Sequence, residues 1–232
     1  MRILGTVAKW FFILSLPALV ISATVNFEFN SLWLYKNGFQ KYNVSQITGL
    51  DEAELEKAAR GLISYFNSDE EYISLTVVKD GQPFELFNQR EIAHLKDVKG
   101  LVRLSYRLLL GTAIYVGVYA GMCLLWRRKR YWRRLARGTV IGGSIALGMI
   151  IALGIGSTIQ GFDQLFTQFH FLAFTNELWM LDPTKDYLIM LFPEGFWYDV
   201  AMLFGQITAG VAGTLCGVAG GYLWTTRRRA RN

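Results

Sequence analysis

The chain has 232 residues, 52% of them hydrophobic and 18% charged, with a formal net charge of +6. That length admits one domain with a large core or a small membrane bundle, and two cysteines exclude a disulfide-dense secreted scaffold. The positive charge is segregated rather than dispersed: residues 1–9, 127–137 and 225–232 hold 2, 7 and 4 Lys and Arg and no acid, leaving 24 − 13 = 11 basic against all 18 acidic residues elsewhere. Such segregation marks juxtamembrane segments drawn to anionic lipid, and nucleic-acid binding is not expected.

Uncharged runs set the topology. Residues 10–27, 108–126, 138–162 and 200–226 are free of Asp, Glu, Lys and Arg, and a helix needs ~20 apolar residues to cross hydrocarbon. With Arg103 and Arg107 able to snorkel, the expected spans are 10–27, 101–126, 138–160 and 200–224. Excess Lys and Arg stays on the cytoplasmic side. The N-terminus (1–9), the basic loop (127–137) and the tail (225–232) are therefore expected inside, with 28–100 and 161–199 outside. The fold class is mainly α: a polytopic membrane protein of four transmembrane helices with a small α+β extracytoplasmic domain and an interfacial aromatic segment. The first span is read as a retained anchor interrupted by Pro17, although Ile21-Ser22-Ala23 has the form of a signal-peptide cleavage site.

In the first outer segment, Phe27, Phe29, Trp33, Tyr35, Phe39 and Tyr42 give an interfacial stretch. Thr48 and Asp51 have capping-box spacing, and Leu55, Ala59, Leu62, Ile63 and Phe66 repeat at helical intervals. Residues 72–78 and 84–87, separated by the turn signal Asp80-Gly81, predict a hairpin. Asn88 then caps a helix with Glu91 as its partner. A straight helix would hold His94 about 14 residues, or ~21 Å, above Leu108, so Gly100 is expected to break it, the two arginines to snorkel, or both.

Small residues stripe the later spans: Gly138 and Gly142, then Gly205, Ala209, Gly213, Gly217 and Gly221 at i+4, a pattern that allows close helix approach. The second outer segment is dense in Phe, and Phe166, His170 and Phe174 share one helical row. It reads as an interfacial or re-entrant cavity floor.

Chemistry centres on the only two histidines, His94 and His170, both on the expected outer side. Histidine alone has an unperturbed pKa, ~6.5, suited to proton exchange near neutrality. Glu91 and Asp97 flank His94 at i−3 and i+3, and Asp182 follows His170, so one of these carboxylates could orient an imidazole. The chain has no HExxH and no Cys/His cluster, so a metal site is not favoured. Two other readings stay open: a membrane hydrolase with a divalent metal on His94, His170 and a carboxylate, and a non-enzymatic sensor or scaffold.

The stretch Glu91-Ile92-Ala93-His94-Leu95-Lys96-Asp97-Val98, together with Phe169-His170, Phe174, Asn176, Trp179, Asp182-Pro183 and Phe192-Pro193-Glu194-Gly195-Phe196-Trp197, resembles the bacterial lipoprotein intramolecular transacylase family. The resemblance implies an enzyme of the bacterial cell membrane, with four spans and its active site at the outer face. It implies transfer of the sn-2 acyl chain of a lipoprotein's diacylglyceryl-cysteine to that cysteine's α-amino group, giving the lyso-form. His94 and His170 then form the catalytic pair. Asn176, Trp179, Phe192, Phe196 and Tyr35 are the candidates for shaping the substrate site. No cofactor is implied; the partners are the diacylated lipoprotein and membrane lipid, and the protein is expected to act as a monomer.

Overall fold

The computed structural model describes residues 2–126 and 128–228. In chain order its elements are α1 (Arg2–Phe29), α2 (Leu32–Lys41), α3 (Val44–Thr48), α4 (Glu52–Asn67), β1 (Thr76–Lys79), β2 (Gln82–Glu85), α5 (Gln89–Leu125), α6 (Lys129–Gln160), α7 (Phe162–Ala173), α8 (Tyr187–Leu191) and α9 (Glu194–Arg228). Among the described residues four helices, α1, α5, α6 and α9, are long and apolar enough to cross a membrane. The protein is thus a mainly α, multi-pass membrane protein, and its residues group into two compact units.

Among the described residues, one unit comprises 2–25, 105–126, 128–156 and 204–228. Its core joins Phe12 and Ile13 of α1 to Tyr119 and Cys123 of α5, with the Phe12 and Tyr119 rings stacked 4.6 Å apart. Close approach is made at glycine: a Cβ on Gly142 would lie 2.8 Å from the Ile13 carbonyl oxygen, and one on Gly143 2.5 Å from Cys216 Sγ. The stripe expected to pack on α9 does so, among its glycines, only at Gly205, where a Cβ would lie 3.6 Å from Ile150; beyond it the packed row is displaced by one residue. A Cβ on Gly213, Gly217 or Gly221 would meet nothing within 4 Å, whereas Thr208, Ala212 and Ala219 are buried. The two stripes lie about 100° apart on the helix, and the packed one keeps a methyl or hydroxyl where the other has none. Thr208 uses its hydroxyl, donating to Thr24 Oγ1 at 3.3 Å.

The other unit comprises residues 26–104 and 157–203. Helix α4 buries Leu55, Ala58, Ala59, Leu62, Tyr65 and Phe66 along one face, each large side chain contributing about 1.5–3 kcal/mol when fully withdrawn from water. Its N-cap is Asp51, whose carboxylate accepts from Glu54 N at 2.8 Å. The box expected at Thr48 is therefore shifted by three residues. Thr48 instead closes α3, with its hydroxyl turned back to the Val44 carbonyl at 2.7 Å, and Gly49 ends that helix at φ +70°. The hairpin forms about the expected turn, but its strands are shorter and closer to it than 72–78 and 84–87, Thr76 pairing with Glu85 and Lys79 with Gln82. Asp80 and Gly81 both take positive φ, as the tight turn between twisted strands demands.

Gly100 does not break α5, which runs unbroken through it. A glycine costs a helix interior only about 1 kcal/mol, and the turns on either side are pinned: Lys99 donates to Ser68 Oγ and the Glu70 carbonyl, and Arg103 to the Ser68 carbonyl.

Candidate functional site

Asn88 starts α5 as the sequence predicts. Its side-chain oxygen accepts from Arg90 N and Glu91 N, while Glu91 Oε2 accepts from Asn88 N at 2.7 Å. Glu91 Oε1 accepts from Leu188 N at 2.6 Å, so this fully buried carboxylate ties the start of α5 to α8. Asn88 Nδ2 donates to Asp186, Arg90 to the Glu177 carbonyl, and Asn176 Nδ2 to Asp97 at 2.8 Å. These bonds fasten the segment after α7 to the first turns of α5, which brings His94 beside His170.

The two imidazoles lie with ring centroids 6.1 Å apart and planes 33° from parallel. Both are buried, at 7% and 9% exposure. His170 Nδ1 sits 2.7 Å from the Phe166 carbonyl oxygen; a carbonyl only accepts, so Nδ1 carries the proton of the neutral ring and Nε2 is its basic atom. His94 Nδ1 is buried without a hydrogen-bond partner. His94 precedes both the uncharged run that begins at Leu108 and the span expected over 101–126. Burial, reinforced by the neighbouring His170, pushes His94 down to about 4 from its ordinary 6.5, against a smaller upward pull from Asp97. Burial also lowers His170, partly offset by its bond to Phe166. Both rings are therefore neutral near pH 7.

They line an apolar cavity of about 340 Å³, with Trp179, Phe192, Phe196 and Tyr35 among its walls, a volume within the range of small-ligand sites. Trp179 packs on His170 with centroids 4.8 Å apart, and its Nε1–H is buried with no acceptor. Tyr35, Phe192 and Phe196 form one ring cluster, entered closely by α2 at Gly38, where a Cβ would stand 2.3 Å from Phe196.

Asn176, Glu91, Asp97 and Asp182 do not line the cavity. The first three hold its frame. Asp182 caps its own turn, accepting from the Thr184 backbone and hydroxyl and pairing with Lys185, contacts that hold its carboxyl down to about 2.

Glu28 is not among the candidates that the sequence pattern marks. It lines the cavity, is 5% exposed, and keeps Oε1 buried without a partner. Its signal was a carboxyl directly after the apolar run 10–27, since an ionisable group at the end of a span invites a functional reading. Among the described residues no three His, Cys, Asp or Glu side chains come together as metal ligands would.

A family model for lipoprotein intramolecular transacylase Lit matches residues 10–197. Comparison with curated proteins gave no match. Among solved structures, the membrane integral lipoprotein intramolecular transacylase Lit from Bacillus cereus superposes with a TM-score of 0.72 at 23% identity, covering 98% of this chain and 97% of that one. A histidine-to-arginine variant of the same protein gives 0.75 at 18% identity, over 98% and 95%, and a histidine-to-alanine variant 0.68 at 20%, over the same shares. At such identities the superposition speaks for a shared fold. The family match spans most of the sequence, both histidines included, and so the chain belongs to the lipoprotein intramolecular transacylase family, acyltransferases integral to the membrane.

Proposed function

We propose that this acyltransferase moves the sn-2 acyl chain of a diacylglyceryl-cysteine lipoprotein onto the α-amino group of the same cysteine, with His94 and His170 exchanging the protons. The carrying observation is that the only two histidines, 76 positions apart in sequence, converge at 6.1 Å in one apolar cavity.

The substrate amine has an ordinary pKa of ~7.7–8 and attacks only when neutral. Donor ester and acceptor amine lie on one molecule, so holding them together supplies much of the acceleration and no enzyme nucleophile is required. Attack on the ester carbonyl forms the C–N bond and an oxyanion. His170 Nε2 accepts a proton from the attacking nitrogen. The glycerol oxygen must gain one as its C–O bond breaks, with His94 as partner in the relay; such acid–base help is worth ~10² to 10⁴ in rate. The unsatisfied Nε1–H of Trp179, whose ring packs on His170, is the donor assigned to the oxyanion. Tyr35, Phe192 and Phe196 form the apolar wall for the acyl chains, with Asn176 holding the frame rather than touching substrate.

The protein acts as a monomer in the bacterial cell membrane, on lipoprotein and among lipid, with both termini cytoplasmic and the cavity at the outer face. Mass spectrometry of the N-terminal lipopeptide from a diacyl-lipoprotein strain, with and without this protein, tests the reading. One acyl chain should move from glycerol to nitrogen at unchanged total mass, and His94→Asn or His170→Asn should abolish the change while the protein stays folded in the membrane. Full activity in the His170 variant would remove the assignment.

A further inference from the structure

We propose that Glu28 is the cavity's receptor for the substrate's α-ammonium group and takes the one proton that acyl transfer leaves over, an inference that rests on the reaction proposed above. Glu28 lines the cavity that holds both histidines, and its Oε1 is buried without a hydrogen-bond partner. The charged side chains of that wall are three carboxyls, Glu28, Asp163 and Glu194, with no Lys or Arg. Asp163 and Glu194 are exposed and hydrogen-bonded to each other, so Glu28 is the buried acidic group left for a ligand. The same wall includes the apolar side chains of Phe29, Leu34, Leu62 and Phe66. A carboxylate buried there with neither donor nor cation is strongly unfavourable, and a proton or a small cation relieves it. One carboxyl in an apolar wall suits an N–H donor cation better than a divalent metal, which collects several oxygen ligands.

The stoichiometry asks for such a group. The ammonium nitrogen begins with three protons and ends, as an amide, with one. One of the two it loses goes to the departing glycerol oxygen through the histidines; the other has no destination in that relay. In an apolar cavity the ammonium–carboxylate pair gives neutral amine and neutral acid, which avoids two desolvated charges. The balanced change is ester, ammonium and Glu28 carboxylate going to amide, alcohol and Glu28 carboxylic acid, which returns its proton to solvent after product leaves.

The test uses the full-length protein and a diether analogue of a diacylglyceryl-cysteine lipopeptide, which has no acyl group to transfer, alongside its α-hydroxy counterpart. Wild-type protein should bind the ammonium form at least tenfold more tightly. Glu28→Gln should bind the two alike and turn over the ester substrate about a hundredfold more slowly, the scale of a lost general base, with an unfolding temperature no lower than wild type. Glu28→Asp should retain part of the preference. An unchanged preference in Glu28→Gln overturns the proposal, and so does a wild-type protein that binds both forms alike. Should the Gln variant fail to fold, a preference in Glu28→Asp equal to wild type overturns it. Lyso-form product from the wild-type protein on the ester substrate is scored separately: its absence counts against the reaction, whereas its presence with no dependence on Glu28 counts against this site alone.

Discussion

Trp179→Phe separates an indole that only packs from one that donates. Phenylalanine keeps an aromatic face for the His170 ring, now 4.8 Å from the indole, and for Phe171, which meets it edge-on at 5.1 Å. It removes Nε1–H, which is buried and makes no hydrogen bond. In the resting protein two effects oppose: an unsatisfied buried donor, worth about 1–3 kcal/mol, is removed, while the smaller ring leaves a void costing a similar amount. The unfolding temperature should therefore move little. In the transition state the donor meets developing negative charge, and losing one such donor costs about 2.7–4 kcal/mol, or 10²- to 10³-fold in kcat. The assay is a mass-spectrometric time course of acyl migration on a diacylated lipopeptide at several concentrations, giving kcat and KM separately. The donor role requires kcat to fall by that factor with KM near wild type. A raised KM with kcat within about fivefold would make Trp179 a wall and refute the reasoning.

Three further outcomes follow from the frame of the cavity. Gly38→Ala sets a Cβ 2.3 Å from a Phe196 ring held by Tyr35, Phe192 and Trp197; overpacking of this kind costs about 1–3 kcal/mol, so calorimetry should show a lower unfolding temperature, and transfer should slow as the ring is driven toward the site. Glu91→Ala strands Asn88 N and Leu188 N, each bond to a carboxylate being worth about 1.5–3 kcal/mol, and urea titration should report a loss of about 3 kcal/mol or more. Because His94 is lowered from 6.5 to about 4, its contribution is complete above pH 6.5 and declines as the pH falls toward 4, where the unfolded chain binds a proton the folded one refuses; the ceiling is about 3 kcal/mol. Thermal unfolding between pH 7 and 4 should slope less in His94→Asn than in wild type, and identical slopes would contradict it.

The sequence carried the spans, the hairpin and the Asn88 cap because each is written in local chemistry: an uncharged run, an Asp-Gly turn, an Asx residue three before a Glu. It misassigned two features where competing local signals were equally good. Thr48 and Asp51 both resemble caps, and only the left-handed Gly49 shows which helix ends and which begins. On α9 the glycine stripe and the buried Thr208, Ala212 and Ala219 are adjacent small-residue rows, and spacing alone does not choose the packed one. The histidines were legible as a pair from their rarity. Their partners were not: Glu91 and Asp97 share helical spacing with His94, yet one bonds Leu188 and the other Asn176. Glu28 escaped because nothing in a linear pattern marks a carboxyl as lacking a partner.

The lowered basicity of both imidazoles bears on their division of labour in the proposed reaction. A ring held neutral by burial is a weak base toward an ammonium of pKa ~8, which argues against either histidine making the first deprotonation alone. The same burial makes the protonated ring a strong acid, suited to delivering a proton to a departing alkoxide. His170 has Nδ1 committed to the Phe166 carbonyl, so its proton enters and leaves through Nε2, with the His94 ring centroid 6.1 Å away. The cavity is thus built to move the second proton efficiently and the first one poorly. The proposed acceptor at Glu28, whose Oε1 has no partner, would answer that imbalance.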